Sequence, residues 1–402
     1  MTLRASKPAF NVREKLTELG RRFGLKGSEL AAAETVQEAR DLVSAGRKNL
    51  IYNGKMEIAQ RSTSETNIGS AFTYYTLDRW GWRNNGHGGR FTMSQDSDTP
   101  PGFYKSLKLE VTTADNSLTS NHYQGLSQRF ETFDVHQLGY GTLEAKPVTL
   151  SFWVKSSLPG TYSCHFSFWN SSPGRNISKP YTINQPNTWE KKVITFEGDT
   201  SVAPPTNNAS LAAELGWCFT TTSFYNDGTD GGVWHDTSDA GKRHSGHVVN
   251  LSANTGTTWY MTGVQLEVGR NATEFEHRSY GEELALCQRY YWEVGSYSNN
   301  NWAPIALVIA YNGTRAFGSI PTPVTMRAHP AVTFSTLNVY SSGSAIDVTN
   351  IFRYSQTNRD QEYNGLAFEV NTASGMSGGT VYRLHVKNAG GTSGYIRLNA
   401  EL

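Results

Sequence analysis

From Asn49 to about Tyr280, apolar residues recur at every second position, the spacing that turns one face of a β-strand toward a core. Leu150, Phe152 and Val154 alternate with Ser151, Trp153 and Lys155. Val193, Thr195 and Glu197 alternate with Ile194 and Phe196, and Tyr260, Thr262, Val264 and Leu266 with Met261, Gly263 and Gln265. Runs at 106–113, 161–169 and 217–224 have the same character, and turn residues such as Pro159-Gly160, Ser172-Pro173-Gly174 and Asn226-Asp227-Gly228 separate them. Many short strands joined by polar turns, with no helices between them, point to an antiparallel sandwich or jelly roll.

The two ends of the chain read differently. Residues 1–48 hold 10 Lys+Arg against 6 Asp+Glu and no Trp or Tyr. Asn11-Val12-Arg13-Glu14 and Thr35-Val36-Gln37-Glu38 are capping boxes, each opening a short amphipathic helix that stops at Gly20 and Gly46. Helices this short do not stand alone in water, so their apolar residues call for a partner. At the other end, Ser279-Tyr280-Gly281-Glu282 caps a short helix over 281–291, and strand signals resume at 305–311, 331–340, 365–371, 380–387 and 394–402. The expected organisation is a helical segment 1–48, a β domain 49–280, a linker helix 281–291 and a second β-sandwich domain 292–402.

Composition excludes several function classes. The 36 Lys+Arg against 35 Asp+Glu leave a net charge of +1, without the basic footprint of a general nucleic-acid binder. No apolar run reaches the roughly 18 residues of a membrane span, and Met1–Pro8 lacks the apolar core of a signal peptide. Cys164, Cys218 and Cys287 are far apart and odd in number, which predicts neither a disulfide framework nor a metal clamp.

Catalytic motifs fail on context. Gly375-Met376-Ser377-Gly378-Gly379 matches GxSxG, but the nucleophile elbow needs a following helix and here a strand pattern, 380–386, follows. Glycoside cleavage needs two facing carboxylates, and Glu110, Glu131, Asp134 and Glu190 read as outward-facing strand residues. The polar loop 226–247, with Asp227, His235, His244 and His247, does not complete an EF-hand. The expectation is no catalysis, no cofactor and no metal.

The aromatic surplus is the strongest functional signal: 10 tryptophans in 402 residues. A Trp face stacks on the C–H face of a sugar while neighbouring polar groups bond its hydroxyls. Trp153, Trp217 and Trp259 lie inside strand runs and are assigned to the core. Trp80, Trp82, Trp169 and Trp234, the last followed by His235, adjoin turn residues and are the glycan-contact candidates.

Several stretches are also familiar in order. Residues 49–61, NLIYNGKMEIAQR, followed by Leu77-Asp78-Arg79-Trp80, the strand 148–155 (VTLSFWVK), Val264-Gln265-Leu266-Glu267-Val268-Gly269, Thr273-Glu274-Phe275-Glu276 and 280–291 (YGEELALCQRYY), resemble a module of bacteriophage tail fibres. Residues 3–16 resemble the virion-attachment end of fibres from short-tailed marine phages. The resemblance implies a mainly β chain with a short N-terminal helical anchor and a carbohydrate-binding-module-like jelly roll, in a homotrimer. It implies a virion tail protein, assembled in the bacterial cytoplasm, held by tail hub or adaptor/nozzle proteins and binding host surface polysaccharide. Phe10, Val12, Leu16, Leu19, Val36 and Leu42 are then the attachment residues. A structural virion role without a receptor, as head fibre, capsid decoration or tail adaptor, and a polysaccharide depolymerase are the alternatives.

Overall fold

The computed structural model describes residues 47–402 except 70, 170–171, 205, 207, 229–230, 296–303, 354–364 and 388–393. The expected N-terminal helices and the attachment residues Phe10, Val12, Leu16, Leu19, Val36 and Leu42 lie outside the described residues.

Two antiparallel sheets face each other across the first core. One contains β1 (Ser64–Ile68), β4 (Arg90–Asp96), β5 (Ser106–Thr113), β13 (Thr258–Val268), β7 (Val148–Ser156) and β10 (Glu190–Phe196), in that spatial order. The other runs β12 (His235–Asp236), β9 (Arg175–Ile183), β8 (Gly160–Phe168), β11 (Leu211–Thr221), β6 (Tyr123–Glu131), β3 (Gly81–Asn85) and β2 (Thr73–Tyr74). The alternation in β7 fixes which side is inside: Leu150, Phe152 and Val154 are fully buried. Between the sheets Trp217 meets Trp80 at 5.6 Å and Phe152 at 5.6 Å, edge to face, and Phe219 meets Trp259 at 4.7 Å. Trp217 and Trp259 are core, as their strand runs predict, whereas Trp153 points out of the six-stranded sheet and is half-exposed.

Helix α1 (Thr132–Val135) and helix α2 (Tyr280–Gln288) are the α-helices of the described residues. Ser279 caps α2, its side chain accepting from the Glu282 amide. After α2 the chain builds a second core. A closed barrel has the order β15 (Pro304–Ala310), β16 (Arg315–Pro321), β20 (Gly365–Thr372), β19 (Ile346–Arg353), β18 (Leu337–Tyr340), β21 (Val381–Val386). Beside it lies a three-stranded sheet of β14 (Tyr291–Gly295), β22 (Tyr395–Asn399) and β17 (Ala331–Ser335). This corrects the expected second sandwich. The continuous run 331–340 is two strands in two sheets, parted at Thr336, whose φ of 36° is left-handed. Closure itself is the pairing of β15 with β21, far apart in sequence.

A buried polar joint links the two cores. Arg79 is fully buried, its guanidinium 3.5 Å from the Tyr290 ring centroid, and it pairs with Glu401 and donates to the Arg129 carbonyl at 2.6 Å. Arg61 lies 3.7 Å over Tyr291 and reaches Glu401 at 3.0 Å. Glu131 accepts from Arg289 Nε at 2.9 Å, Arg289 Nη2 at 2.8 Å and the Tyr290 hydroxyl at 2.5 Å. Arg327 donates to carbonyls on both sides, Ala209 at 2.8 Å and Ala400 at 2.7 Å.

Candidate functional site

The outer face of the seven-stranded sheet carries charge and rings instead of the neutral polar residues usual on a solvated face. Central strand β11 is the reason. Its inward residues Ala213, Leu215, Trp217 and Phe219 fill the core, so Glu214, Gly216 and Cys218 face outward. Yet Glu214 is also fully buried, because the segment 222–250 folds back over this face. Gly216 is there for its missing side chain: a Cβ would stand 2.2 Å from Cε1 of His165 on the neighbouring strand.

Glu214 organises the charges. Its Oε2 accepts from Arg83 Nε at 3.1 Å and from Arg129 Nε at 3.2 Å, while its Oε1 lies 3.5 Å from His165 Nε2. Burial alone would raise the carboxyl pKa, but Arg83, His165 and Arg129 outweigh it and hold it far below the ordinary carboxylate range. Arg83 also donates to the Tyr123 hydroxyl at 3.1 Å. Phe72 lies against both guanidiniums, at 3.7 Å from Arg129 and 5.1 Å from Arg83.

Burial keeps the histidines of this face neutral. It lowers the pKa of His165, and pushes that of His244 well below the usual imidazole value. The two rings touch, centroids 5.1 Å apart. His247 is held near 4, again by burial, and its Nε2 donates to the Val249 carbonyl at 2.7 Å.

The covering segment is folded by its own backbone. The Tyr225 and Asn226 amides both donate to the Thr222 carbonyl, and the His244 amide donates to the Tyr225 carbonyl at 2.9 Å. A 3-10 turn, Ala240–Lys242, delivers Arg243 as its C-terminal cap. The Arg243 guanidinium then stands among three rings: Trp169 at 5.5 Å, Tyr123 at 5.6 Å and Tyr225 at 5.7 Å. Trp169 and Arg243 are half-exposed, and Phe224, packed edge-on to Tyr225 at 4.8 Å, is 50% exposed. This is an aromatic surface with a cation in it, on a rigid sheet.

The structure separates the predicted contacts. Trp80 and Trp82 are fully buried and are not surface residues. Trp80 donates from Nε1 to the Asn53 carbonyl at 3.1 Å, and Trp82 packs on Phe91 at 4.8 Å. The glycine between them, Gly81, is the first residue of β3 and takes the outward position, where Phe72 covers it. Trp169 belongs to the Arg243 cluster. Trp234 is half-buried on Tyr140 and Phe168, donating to the Glu197 carbonyl at 2.7 Å, and His235 pairs with Asn176 on the edge strand β12. These two anchor the segment at the sheet edge.

Arg243, Tyr225 and Glu214 were not legible as site residues. Trp189 was also missed: it stands half-exposed on the six-stranded sheet, near Tyr260 at 6.1 Å and donating to Asp98 at 3.0 Å. The carboxylates considered for catalysis each have a partner: Glu110 with Lys108 at 2.7 Å, Glu131 with Arg289, Asp134 with the Tyr52 hydroxyl at 2.6 Å, Glu190 with Lys192 at 2.6 Å. Ser377 lies in a turn before β21, with no helix after it. Among the described residues no three His, Cys, Asp or Glu side chains gather as a metal site.

No family model matches the chain, and neither does any curated protein. Among solved structures it is similar to the enzymatically active domain of tailspike protein 4 of bacteriophage CBA120, with 13% identity and a TM-score of 0.28 over 55% of this chain and 21% of that one. The chain thus spans about a fifth of that domain's length. It is also similar to the family 11 carbohydrate-binding module of the cellulosomal cellulase Lic26A-Cel5E of Clostridium thermocellum, with 12% identity, a TM-score of 0.26, and 51% of this chain and 99% of that one covered. A third is TmCBM61 in complex with β-1,4-galactotriose, with 10% identity, a TM-score of 0.27, and 55% and 99% covered.

Proposed function

We propose that this chain is a bacteriophage tail-fibre protein that binds glycan on the host surface through the outer face of its seven-stranded sheet. The observation that carries the reading is the cluster of Trp169, Phe224 and Arg243, each partly open to solvent, built on the buried ring of Tyr225. Rings offer a stacking surface for the C–H face of a sugar, and fixed donors beside them select hydroxyls or charge. The fibre part of the reading is supported by the ordered sequence resemblance across residues 49–291. In it, residues 1–48 attach to the tail hub or adaptor/nozzle proteins, three chains assemble, and binding is passive, without bond cleavage. Weak single contacts are multiplied by copies per fibre and fibres per particle. The protein is made and assembled in the host cytoplasm and works on the virion tail.

The test is binding of the purified full-length chain to fluorescently labelled host cells, with light scattering for mass. A trimer that binds susceptible cells, and loses them when surface polysaccharide is stripped, supports the reading. A trimer that ignores susceptible cells refutes it and favours a head fibre, capsid decoration or adaptor.

A further inference from the structure

Among the described residues the Arg243 guanidinium makes no ion pair and no carbonyl accepts from it; its side-chain hydrogen-bond partner is the neutral Tyr225 hydroxyl. Of the carboxylates on this face, Glu214 is engaged by Arg83 and Arg129, Asp239 pairs with Lys242 at 3.4 Å, and Asp227 packs against Gly241. Three rings stand 5.5 to 5.7 Å from the cation, and its five N–H donors form a planar fork. A half-buried arginine whose partner is one neutral hydroxyl has donors to spare, and the acceptor that suits a planar fork is a planar anion.

We propose that the glycan bound at this face is anionic, with an acidic group of the sugar, foremost a uronic acid carboxylate, received by Arg243 while the pyranose ring stacks on Trp169. This rests on the glycan-binding reading above and adds the substrate class. The cluster combines the two requirements of an acidic sugar: an aromatic face for the C–H surface and a cation within ring distance of it. A neutral hexose would satisfy the ring but offer the guanidinium only uncharged hydroxyl acceptors, without the charge-assisted, two-pronged contact of a carboxylate. Sulfated and phosphorylated sugars share the chemistry, and the experiment separates them from uronates.

The experiment measures affinity of the full-length chain for polygalacturonate, dextran sulfate, a phosphorylated mannan and the neutral polymers galactan and mixed-linkage β-glucan. The expected result is binding to an anionic polymer that weakens as NaCl is raised, and weak or no binding to the neutral ones. Arg243→Gln is expected to lower the anionic affinity roughly tenfold or more, the scale of a lost charge-assisted hydrogen bond. Arg243→Lys keeps the charge without the fork and is expected to fall between. Thermal melting confirms that both variants fold, and the salt dependence of the unmodified chain gives a readout that needs no variant. Preference for dextran sulfate or the phosphorylated mannan with the same Arg243 dependence supports the anionic class and replaces carboxylate with that group. Salt-independent binding to a neutral polymer, unchanged in Arg243→Gln, overturns the inference and leaves the glycan reading standing. Binding to no polymer, with no binding to host cells, overturns both.

Discussion

Glu214→Gln is the sharpest test of how the polar face is held together. The carboxylate is fully buried and accepts from two arginines on different strands. The amide keeps the shape, loses the charge, and turns an NH2 toward one of the groups the carboxylate oxygens satisfied. Removing one partner of a buried pair costs about 3–5 kcal/mol, mostly from the charge left unpaired. Here the arginine side chains keep 16% and 18% of their surface, so water reaches part of the stranded charge. The expected loss is therefore near the lower bound, about 3 kcal/mol. Urea unfolding of the full chain, followed by tryptophan fluorescence, reads it as a fall in the midpoint of the sandwich transition, since Trp217 and Trp259 report that core. Glu197→Gln is the control: its partner Arg270 is 65% exposed, and the midpoint is expected to stay where it is. A Glu214→Gln midpoint indistinguishable from the unmodified chain refutes the argument, because it means that the pair contributes nothing its neutral isostere lacks.

The remaining predictions concern the fold and its pH dependence. Burial holds His247 near 4 against an ordinary 6.5, so between those values the unfolded chain binds a proton that the native chain refuses. Stability is fully present above about pH 6.5 and is lost as pH falls toward 4, by up to roughly 3 kcal/mol at about 1.4 kcal/mol per pH unit. His247→Asn is expected to flatten that part of the stability profile measured by urea titration at several pH values; an unchanged slope contradicts the assignment. Gly216→Ala puts a methyl 2.2 Å from His165 Cε1 and is expected to destabilise the sandwich by about 1–3 kcal/mol, and a neutral effect would show that the imidazole moves aside freely. Arg79→Leu removes the Glu401 pair and the stacking on Tyr290, and differential scanning calorimetry is expected to resolve separate transitions for the sandwich and the barrel. A single, unshifted transition would show that Arg79 is not what couples them.

The strands were legible because alternation is a local signal. The run 106–113 coincides with β5, and 365–371 with β20 within one residue. The run 217–224 was displaced from β11, Leu211–Thr221, because Ala212-Ala213-Glu214-Leu215-Gly216 lacks β-branched residues and contains a charge. What makes Glu214 a strand residue is the pair of arginines from β3 and β6, which no window of sequence contains. The barrel was invisible for the same reason: sandwiches and barrels share strand patterns and differ in which distant edges meet.

The familiar motifs are explained by construction. Asn49 accepts from the Ile51 and Leu266 amides, Glu276 accepts from the Lys48 and Asn49 amides, and Asp78, Arg79, Arg289 and Tyr290 build the joint. These residues close the sandwich and set its joint to the barrel. The residues that face outward in the candidate site, Trp169, Phe224 and Arg243, fall outside every one of those motifs. That is why turn neighbours misled for Trp80 and Trp82: the same Gly and Asp that mark a surface turn also frame a buried motif.

Hydrogen exchange of the full-length chain, with and without the tightest-binding polysaccharide of the panel, tests the central claim most directly. The account predicts added protection in 163–169 and 222–247, the strand end carrying Trp169 and the segment carrying Tyr225 and Arg243. Protection confined to the barrel strands 304–386, or to the six-stranded sheet around Trp153, Trp189 and Tyr260, would contradict it.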